Sequence, residues 1–256
     1  MGRSTVTSQT PPTPLADVRG WLFDLDGVLT PTAEVHMRAW SRLFVPYLAS
    51  LALAPYEDAD YYAHIDGRPR YDGVRSLLTS RSILRPEGEP DDSESADTIC
   101  GLGNRKDMVF RAILRSEEVA AYEGSRTFLD AVLSQGCSVA VVSSSQNAQL
   151  VLSAAGLDDR FDVVVDGAYA SAAGLAGKPS PDTFLHAAGR LRLAPSACAV
   201  VEDAVSGVSA GSAGQFGHVV GVDRGVGPRA LREAGAHTVV NDLAELLPLV
   251  PPIACG

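Results

Sequence analysis

An α/β fold built on a doubly wound parallel sheet, with an α-helical unit inserted near its start, is the fold class the sequence predicts. Six short apolar runs lack polar alternation, as strands buried on both faces do. Helical patterns lie between them, and several stop at a glycine (Gly136, Gly156, Gly214, Gly235) that takes the left-handed helix-ending conformation at little cost. From Ala33 to about Ala120, by contrast, helical signals run on with almost no convincing strand.

The elements follow in chain order. The first run, Gly20–Leu25, ends in acids and Gly27. The insert comes next, with helical patterns at Ala33–Ala49, Tyr56–His64, Tyr71–Ser82 and Arg105–Ser116. An acidic, breaker-rich loop (Pro86–Ser95) divides the last two. Strand-like runs then recur at Cys137–Val142, Phe161–Val165, Ala197–Val201, His218–Val222 and His237–Val240. Helical patterns interleave with them at Gly124–Gln135, Gln146–Ala155, Pro181–Leu193, Val205–Ala213 and Arg229–Ala234. The expected division is a flexible tail (1–16), a core (17–32 and 121–248), the helical insert (33–120) and a C-terminal tail (249–256). An insert placed just after the first strand sits over the carboxyl ends of the strands, where open α/β sheets bind ligands.

Composition narrows the function. A formal charge of −10 and a pI of about 4.9 argue against a nucleic-acid surface, which needs a basic stripe. A phosphorylated substrate stays possible, because a bound divalent cation reverses the local field. No apolar run approaches the roughly 18 residues of a membrane span. The Thr-, Ser- and Pro-rich start has no pattern of a secretory signal. The four cysteines lack paired spacing; Cys137 and Cys198 begin strand-like runs, where buried free thiols are expected, and a reducing, cytoplasmic setting fits. No long exposed apolar stripe is evident, and a monomer is expected.

The residues able to carry chemistry stand at strand ends. Asp24 and Asp26 close the first run; Glu202 and Asp203 close the fourth. If those strands are neighbours, four acids converge. Carboxylates so crowded need a shared cation or proton, and all-oxygen donors favour magnesium over zinc. Ser143, Ser144 and Ser145 follow the second run and precede a helix, which makes either an anion pocket or a simple N-cap. In Gly177–Pro181 the prolines suit a helix start, whereas Lys178 lies in a turn beside the expected ligand edge.

Four segments then come together: Asp24–Thr30 (DLDGVLT), Ser143 after an apolar strand, Lys178–Asp182 (KPSPD) and Glu202–Asp203. In that order they resemble the four-motif signature of the haloacid dehalogenase (HAD) superfamily of aspartyl-phosphate phosphotransferases, with a Rossmann-like core. The insert resembles that superfamily's helical cap. Thr32–His36 with Arg38–Trp40, Asp66–Gly67 with Arg70, and Glu202–Gly207 (EDAVSG) are similar to its β-phosphoglucomutase branch.

The resemblance implies Asp24 as nucleophile, Asp26 as acid and base with a raised pKa, and Lys178 and Ser143 on the phosphoryl oxygens. It implies a magnesium ion held by Asp24, Asp203 and the carbonyl of Asp26, with Glu202 reaching the ion through water or standing behind it as a base. His36, Arg70 and Lys106 would be substrate-binding residues of the cap, with Ser144, Ser145 and Asn147 on the core side. The implied partner is a small phosphorylated sugar. Three departures mark this chain: Pro31 at the hinge into the cap, Gln146 where phosphoglucomutases often carry lysine, and the long acidic loop. The expected function is a β-phosphoglucomutase-like transfer between β-glucose 1-phosphate and glucose 6-phosphate. The alternatives are a phosphatase of sugar phosphates or other small esters and, last, a non-catalytic binding protein.

Overall fold

The structure, a computed structural model, describes residues 12–250. All six expected strands form: β1 (Gly20–Phe23), β2 (Ser138–Val142), β3 (Val163–Val165) and β6 (Thr238–Val240) are trimmed by a residue or two, β4 (Cys198–Glu202) is shifted by one, and β5 (His218–Val222) has the expected bounds. They make one parallel sheet in the order β3-β2-β1-β4-β5-β6. The order reverses beside β1, the switch point at which such sheets open a crevice.

Ten α-helices complete the described chain: α1 (Thr32–Ser50), α2 (Asp58–His64), α3 (Arg70–Ser80), α4 (Ile99–Ser116), α5 (Glu123–Ser134), α6 (Ala148–Ala154), α7 (Gly167–Ala172), α8 (Asp182–Arg190), α9 (Val205–Ala213) and α10 (Pro228–Glu233). Alternate residues of each strand enter different apolar clusters. Trp21 and Phe23 pack with Phe128, Leu129 and Val141 on one face, while Leu22 packs with Val142, Phe184 and Val200 on the other. That is why the strand runs are continuously apolar. A third cluster, around Trp40, Phe44, Tyr61, Val74 and Leu102, lies wholly within the helical insert.

Several boundaries differ from the sequence reading. Helix α4 starts six residues before Arg105, because Thr98 caps it by accepting from the Gly101 amide at 2.9 Å. Gly101 and Gly103 interrupt the pattern that would have shown this turn. Helix α6 starts at Ala148 and not at Gln146, since the preceding loop makes its own bonds: Ser145 N donates to Ser143 Oγ, and Asn147 N to Ser145 Oγ. The short α7 was not expected; Asp166 caps it by accepting from the Tyr169 amide. The tails fall mostly outside the described residues. From Thr13, however, the chain is held on the core: Thr13 N donates to the Gly217 carbonyl and Leu15 is buried. At the other end Val250 is also buried.

Candidate active site

Because β2, β1 and β4 are neighbours, their carboxyl ends deliver Ser143, Asp24 and Glu202–Asp203 to one place. Phe23 stands level with Val141 on one side and Val201 on the other. The Asp24 amide continues the ladder by donating to the Val201 carbonyl. Four acids therefore do converge. Gly27 shapes the loop after β1: its φ is +86°, and a β-carbon there would overlap Asp203 Oδ2. Gly207 does the same service for Glu202.

Lys178 is the cation of this edge. Its Nζ lies 2.5 Å from Asp24 Oδ1 and 2.6 Å from Glu202 Oε1, and donates to the Val142 carbonyl. Burial works against its charge, but the two carboxylates outweigh it and hold the ammonium above its ordinary range. One cation does not balance the acids. Burial pushes Asp24 well up; Lys178 opposes this, while Glu202 and Asp26 add to it. Asp203 is pushed well up by burial, Asp66, Glu202 and Asp24. Asp66, a cap residue pressed onto the site, is raised to about 7 by burial and Glu202.

Asp26 behaves differently from the sequence expectation. Burial raises its pKa, but His36, whose Nε2 is 3.3 Å away, Thr32, donating at 2.5 Å, and Lys106 together bring it down to about 2. The crowding expected to raise Asp26 acts on Asp24 and Asp203, because cap cations and a hydroxyl screen Asp26 from it. Ser143 Oγ donates to Asp26 Oδ2 at 3.3 Å.

The cap lies down on the core. Ser144 Oγ donates to the Gly67 carbonyl (2.7 Å), Ser206 Oγ to the Asp66 carbonyl (3.0 Å), and Asn147 Nδ2 to Asp107 Oδ1 (2.6 Å). His36 and Lys106 form a buried pair at 2.5 Å. His36 stacks on Phe110, and the Lys106 ammonium lies over the Trp40 ring. Burial and Arg70 bring the Lys106 ammonium down to about 7. His36 is lowered by burial and Lys106, with Asp26 opposing.

Asp24, Asp26, His36, Arg70, Lys106, Ser143, Ser144, Ser145, Asn147, Glu202 and Asp203 line one cavity of about 70 Å³. Of the sequence-derived residues only Lys178 is missing from its wall; it lies beneath Asp24 and lines an adjoining cavity of about 720 Å³. The sequence marked Asp66 only as part of the family resemblance, with no site role, and gave no sign of Arg68 or Asp107. Asp107 follows Lys106 on α4, and an acid on an amphipathic helix reads as solvated until its partners are seen. Arg68 sits in the same Gly67–Arg70 turn that supplied Arg70.

A divalent cation fits the core side. Asp24 and Asp203 offer hard carboxylate oxygens, both pushed up by burial first and then by neighbouring acids, and Gly27 lets Asp203 lie against the β1 loop. Glu202 is otherwise engaged: Oε2 accepts from the Asp203 and Ala204 amides, and Oε1 faces Lys178. Accordingly, among the described residues, no three His, Cys, Asp or Glu side chains stand as a ready cage. The remaining donors are two carboxylates and main-chain oxygen.

Comparison with known proteins agrees with this geometry. A family model described as haloacid dehalogenase-like hydrolase matches residues 18–215. β-Phosphoglucomutases of Mycobacterium bovis and Mycobacterium tuberculosis are 50% identical over 240 residues, covering 90% of this chain and 92% of theirs. A phosphorylated carbohydrates phosphatase of Thermotoga maritima is 28% identical, covering 86% of this chain and 93% of its own. Among solved structures, a β-phosphoglucomutase from Clostridium difficile aligns with a TM-score of 0.72 at 24% identity over 90% of this chain and 93% of that one, a likeness of fold. No described helix is long and apolar enough to cross a membrane. With strand-end acids, buried lysine and helical cap arranged as described, the chain belongs to the haloacid dehalogenase-like hydrolases, a family of phosphoryl-transfer enzymes.

Proposed function

We propose that this enzyme is a magnesium-dependent sugar-phosphate mutase that moves a phosphoryl group between the 1- and 6-positions of β-glucose phosphate. The observation that carries the reading is the seal over the nucleophile. His36 of the cap reaches Asp26 of the core across a cavity of about 70 Å³, too small for a hexose phosphate, whose sites run to several hundred Å³. The cap therefore opens to admit substrate and closes to exclude water, which favours transfer to a sugar hydroxyl over hydrolysis. The 50% identity to mycobacterial β-phosphoglucomutases supports the same choice.

Asp24 attacks phosphorus and carries the phosphoryl group as an aspartyl phosphate. Lys178 and the Ser143 hydroxyl stand beside it to hold phosphoryl oxygens. Asp26 takes the proton of the attacking sugar hydroxyl and returns one to the leaving oxygen, its position fixed by Thr32 and His36. Magnesium, held by Asp24, Asp203 and the Asp26 carbonyl, would neutralise charge between carboxylate and phosphate. Glu202 holds Lys178 and the β4 loop in place. Because a phosphoenzyme delivers its group to a sugar that is already phosphorylated, the reaction passes through a sugar bisphosphate, and the site, widened around its substrate, must hold a second phosphate away from Asp24.

One feature favours a second reading, a phosphatase of phosphorylated sugars: Gln146 lines the pocket where a cation would strengthen the grip on substrate. Incubation with magnesium and β-glucose 1-phosphate separates the two. Glucose 6-phosphate accumulating faster than free phosphate bears out the mutase; phosphate release without isomerisation overturns it.

A further inference from the structure

The reacting groups of the core stand at the ends of β1, β2 and β4 and, for Lys178, in the loop before α8. The carboxyl end of β5, next to β4 in the sheet, contributes none of them, yet it carries an arginine laid against the catalytic loop. Asp223 shapes that end: its Oδ1 accepts from the Gly225 and Gly227 amides. Between them Arg224 is half-buried. Its Nε donates to the Gly27 carbonyl at 2.8 Å and its Nη1 to the Asn241 carbonyl at 2.9 Å. Nη2 is buried without a hydrogen-bond partner, and the guanidinium carbon lies 3.9 Å from the centre of the Tyr122 ring. Two donors and one face thus meet three separate segments. A planar guanidinium supplies that geometry, and a lysine ammonium does not.

Two of those segments are the connections between core and cap. Gly27–Thr30 leads from Asp26 towards α1, and Tyr122 stands where the chain returns from the cap to α5. Each carbonyl of the loop has a partner: Gly27 accepts from Arg224, Val28 from the Ser125 hydroxyl, Leu29 from the Tyr122 amide and Thr30 from the Gly27 amide. The outgoing loop and the returning linker are therefore one hydrogen-bonded joint, and Arg224 touches both parts of it. At the end of the loop the Thr30 hydroxyl lies 2.7 Å from the Thr32 hydroxyl, which donates to Asp26. The place of the Asp26 carboxylate is thus set from two sides: by Gly27, next in the chain, and by Thr32, beyond the far end of the same loop.

Resting on the reading of Asp26 as the proton carrier, which mutase and phosphatase share, we propose that Arg224 is a positioning residue for Asp26. It clamps the Gly27–Thr30 loop and the Tyr122 linker to the end of β5, so that the hinge of the cap and the acid–base carboxylate keep one geometry. Asp24 follows β1 directly, and its own amide is held by the Val201 carbonyl without help from the arginine. Loss of Arg224 therefore harms proton transfer and spares the nucleophile. A misplacement of about 1 Å is enough to slow such a step about a hundredfold.

Two phosphoryl donors separate these roles. Acetyl phosphate phosphorylates Asp24 with acetate leaving as the anion, which needs no acid, whereas a sugar oxygen must be protonated as it leaves. In magnesium, Arg224→Gln is expected to form labelled phosphoenzyme from acetyl phosphate within about threefold of the wild-type rate. With β-glucose 1-phosphate, after priming by acetyl phosphate, kcat counted as glucose 6-phosphate plus glucose should fall about 10- to 100-fold with KM nearly unchanged. Arg224→Lys, which keeps a donor for the Gly27 carbonyl, recovers part of the loss, and Tyr122→Ala reproduces part of it. Amide hydrogen exchange reads the joint without turnover. The Gly27, Leu29, Thr30 and Tyr122 amides, each bonded to the loop or to Leu25 before it, should exchange at least about tenfold faster in Arg224→Gln, with the β1 amides unchanged. Equal losses with both donors, an unaltered kcat, or unchanged exchange at those four amides overturns the assignment. If wild-type enzyme releases glucose and makes no glucose 6-phosphate, the mutase reading falls, while the difference between donors still decides this one.

Discussion

Core and cap meet in one pocket and bring opposite charges to it. The core supplies Asp24, Asp26, Glu202 and Asp203 against a single lysine, Lys178. The cap supplies His36, Arg68, Arg70 and Lys106, tempered by Asp66 and Asp107. The core groups hang from the ends of neighbouring strands, so their spacing is set by a sheet that cannot give without losing its ladder. The cap groups come from three helices and the turn before α3, and reach the site only while a few hydrogen bonds hold the two halves together. Rigid chemistry on one side and movable recognition on the other predict different failures. A core lesion should damage every reaction with a phosphate ester, whereas a cap lesion should depend on what is attached to the phosphate.

The largest effect is expected at Asp24. Asp24→Asn keeps the volume but removes the nucleophile, and kcat should fall by at least about 10⁴-fold with every donor. Asp26→Ala should still accept phosphate from a reactive donor into a trapped phosphoenzyme, yet turn over about 10²- to 10⁴-fold more slowly. Radiolabel retained on the protein after denaturation distinguishes the two. Substantial turnover by Asp24→Asn would mean that the core does not carry the chemistry.

Lys178 tests whether the core is also the more strained half. Its ammonium lies between two buried carboxylates. Lys178→Met should therefore lower unfolding stability by about 3–5 kcal/mol in urea titration, since removing one partner strands the others. Magnesium should recover part of that loss by replacing the missing positive charge. An unaltered midpoint would show that the acids sit there protonated and need no counter-charge.

The same contrast explains what could be read from the sequence. A strand end is a local feature: an apolar run followed by Asp24, Ser143 or Glu202 marks its own place at the ligand edge, and the parallel order assembles them. The helical insert was legible as helices for the same reason, through periodicity. Its working contacts were not, because they are set by docking. Asp107 bonds Arg70, 37 residues earlier, and Asn147, 40 residues later, and no window of sequence contains those pairings. The lowered pKa of Asp26 was missed likewise, since it comes from His36 and Lys106 arriving from α1 and α4.

His36 should show the cap's kind of failure. His36→Gln removes the pairing with Asp26 and the contact with Lys106. Transfer to a sugar phosphate should slow by about 10- to 100-fold as proton transfer and closure uncouple. Hydrolysis of acetyl phosphate should slow less, so the ratio of hydrolysis to transfer rises. Equal losses in both would place His36 with the core chemistry and weaken the division between the halves.

The smallest effect is expected at the seam itself, and it bears most directly on closure. Ser144 Oγ donates 2.7 Å to the Gly67 carbonyl, a bond that exists only while the cap is down. Ser144→Ala removes it and leaves the carbonyl free to find water once the cap lifts, so the closed state should lose about 1 kcal/mol. That is about a fivefold shift in the opening equilibrium. For an enzyme limited by opening, a looser cap raises kcat and KM together; for one limited by chemistry, it lowers kcat. Protease susceptibility of the segments joining cap and core, near Pro31 and Glu117–Ala121, should rise in step with the open fraction. If susceptibility rises and kcat does not move, closure is faster than every other step and the cap acts on specificity alone. If neither changes, the seam is held by the bond from Asn147 to Asp107, and Asn147→Ala becomes the variant that opens it.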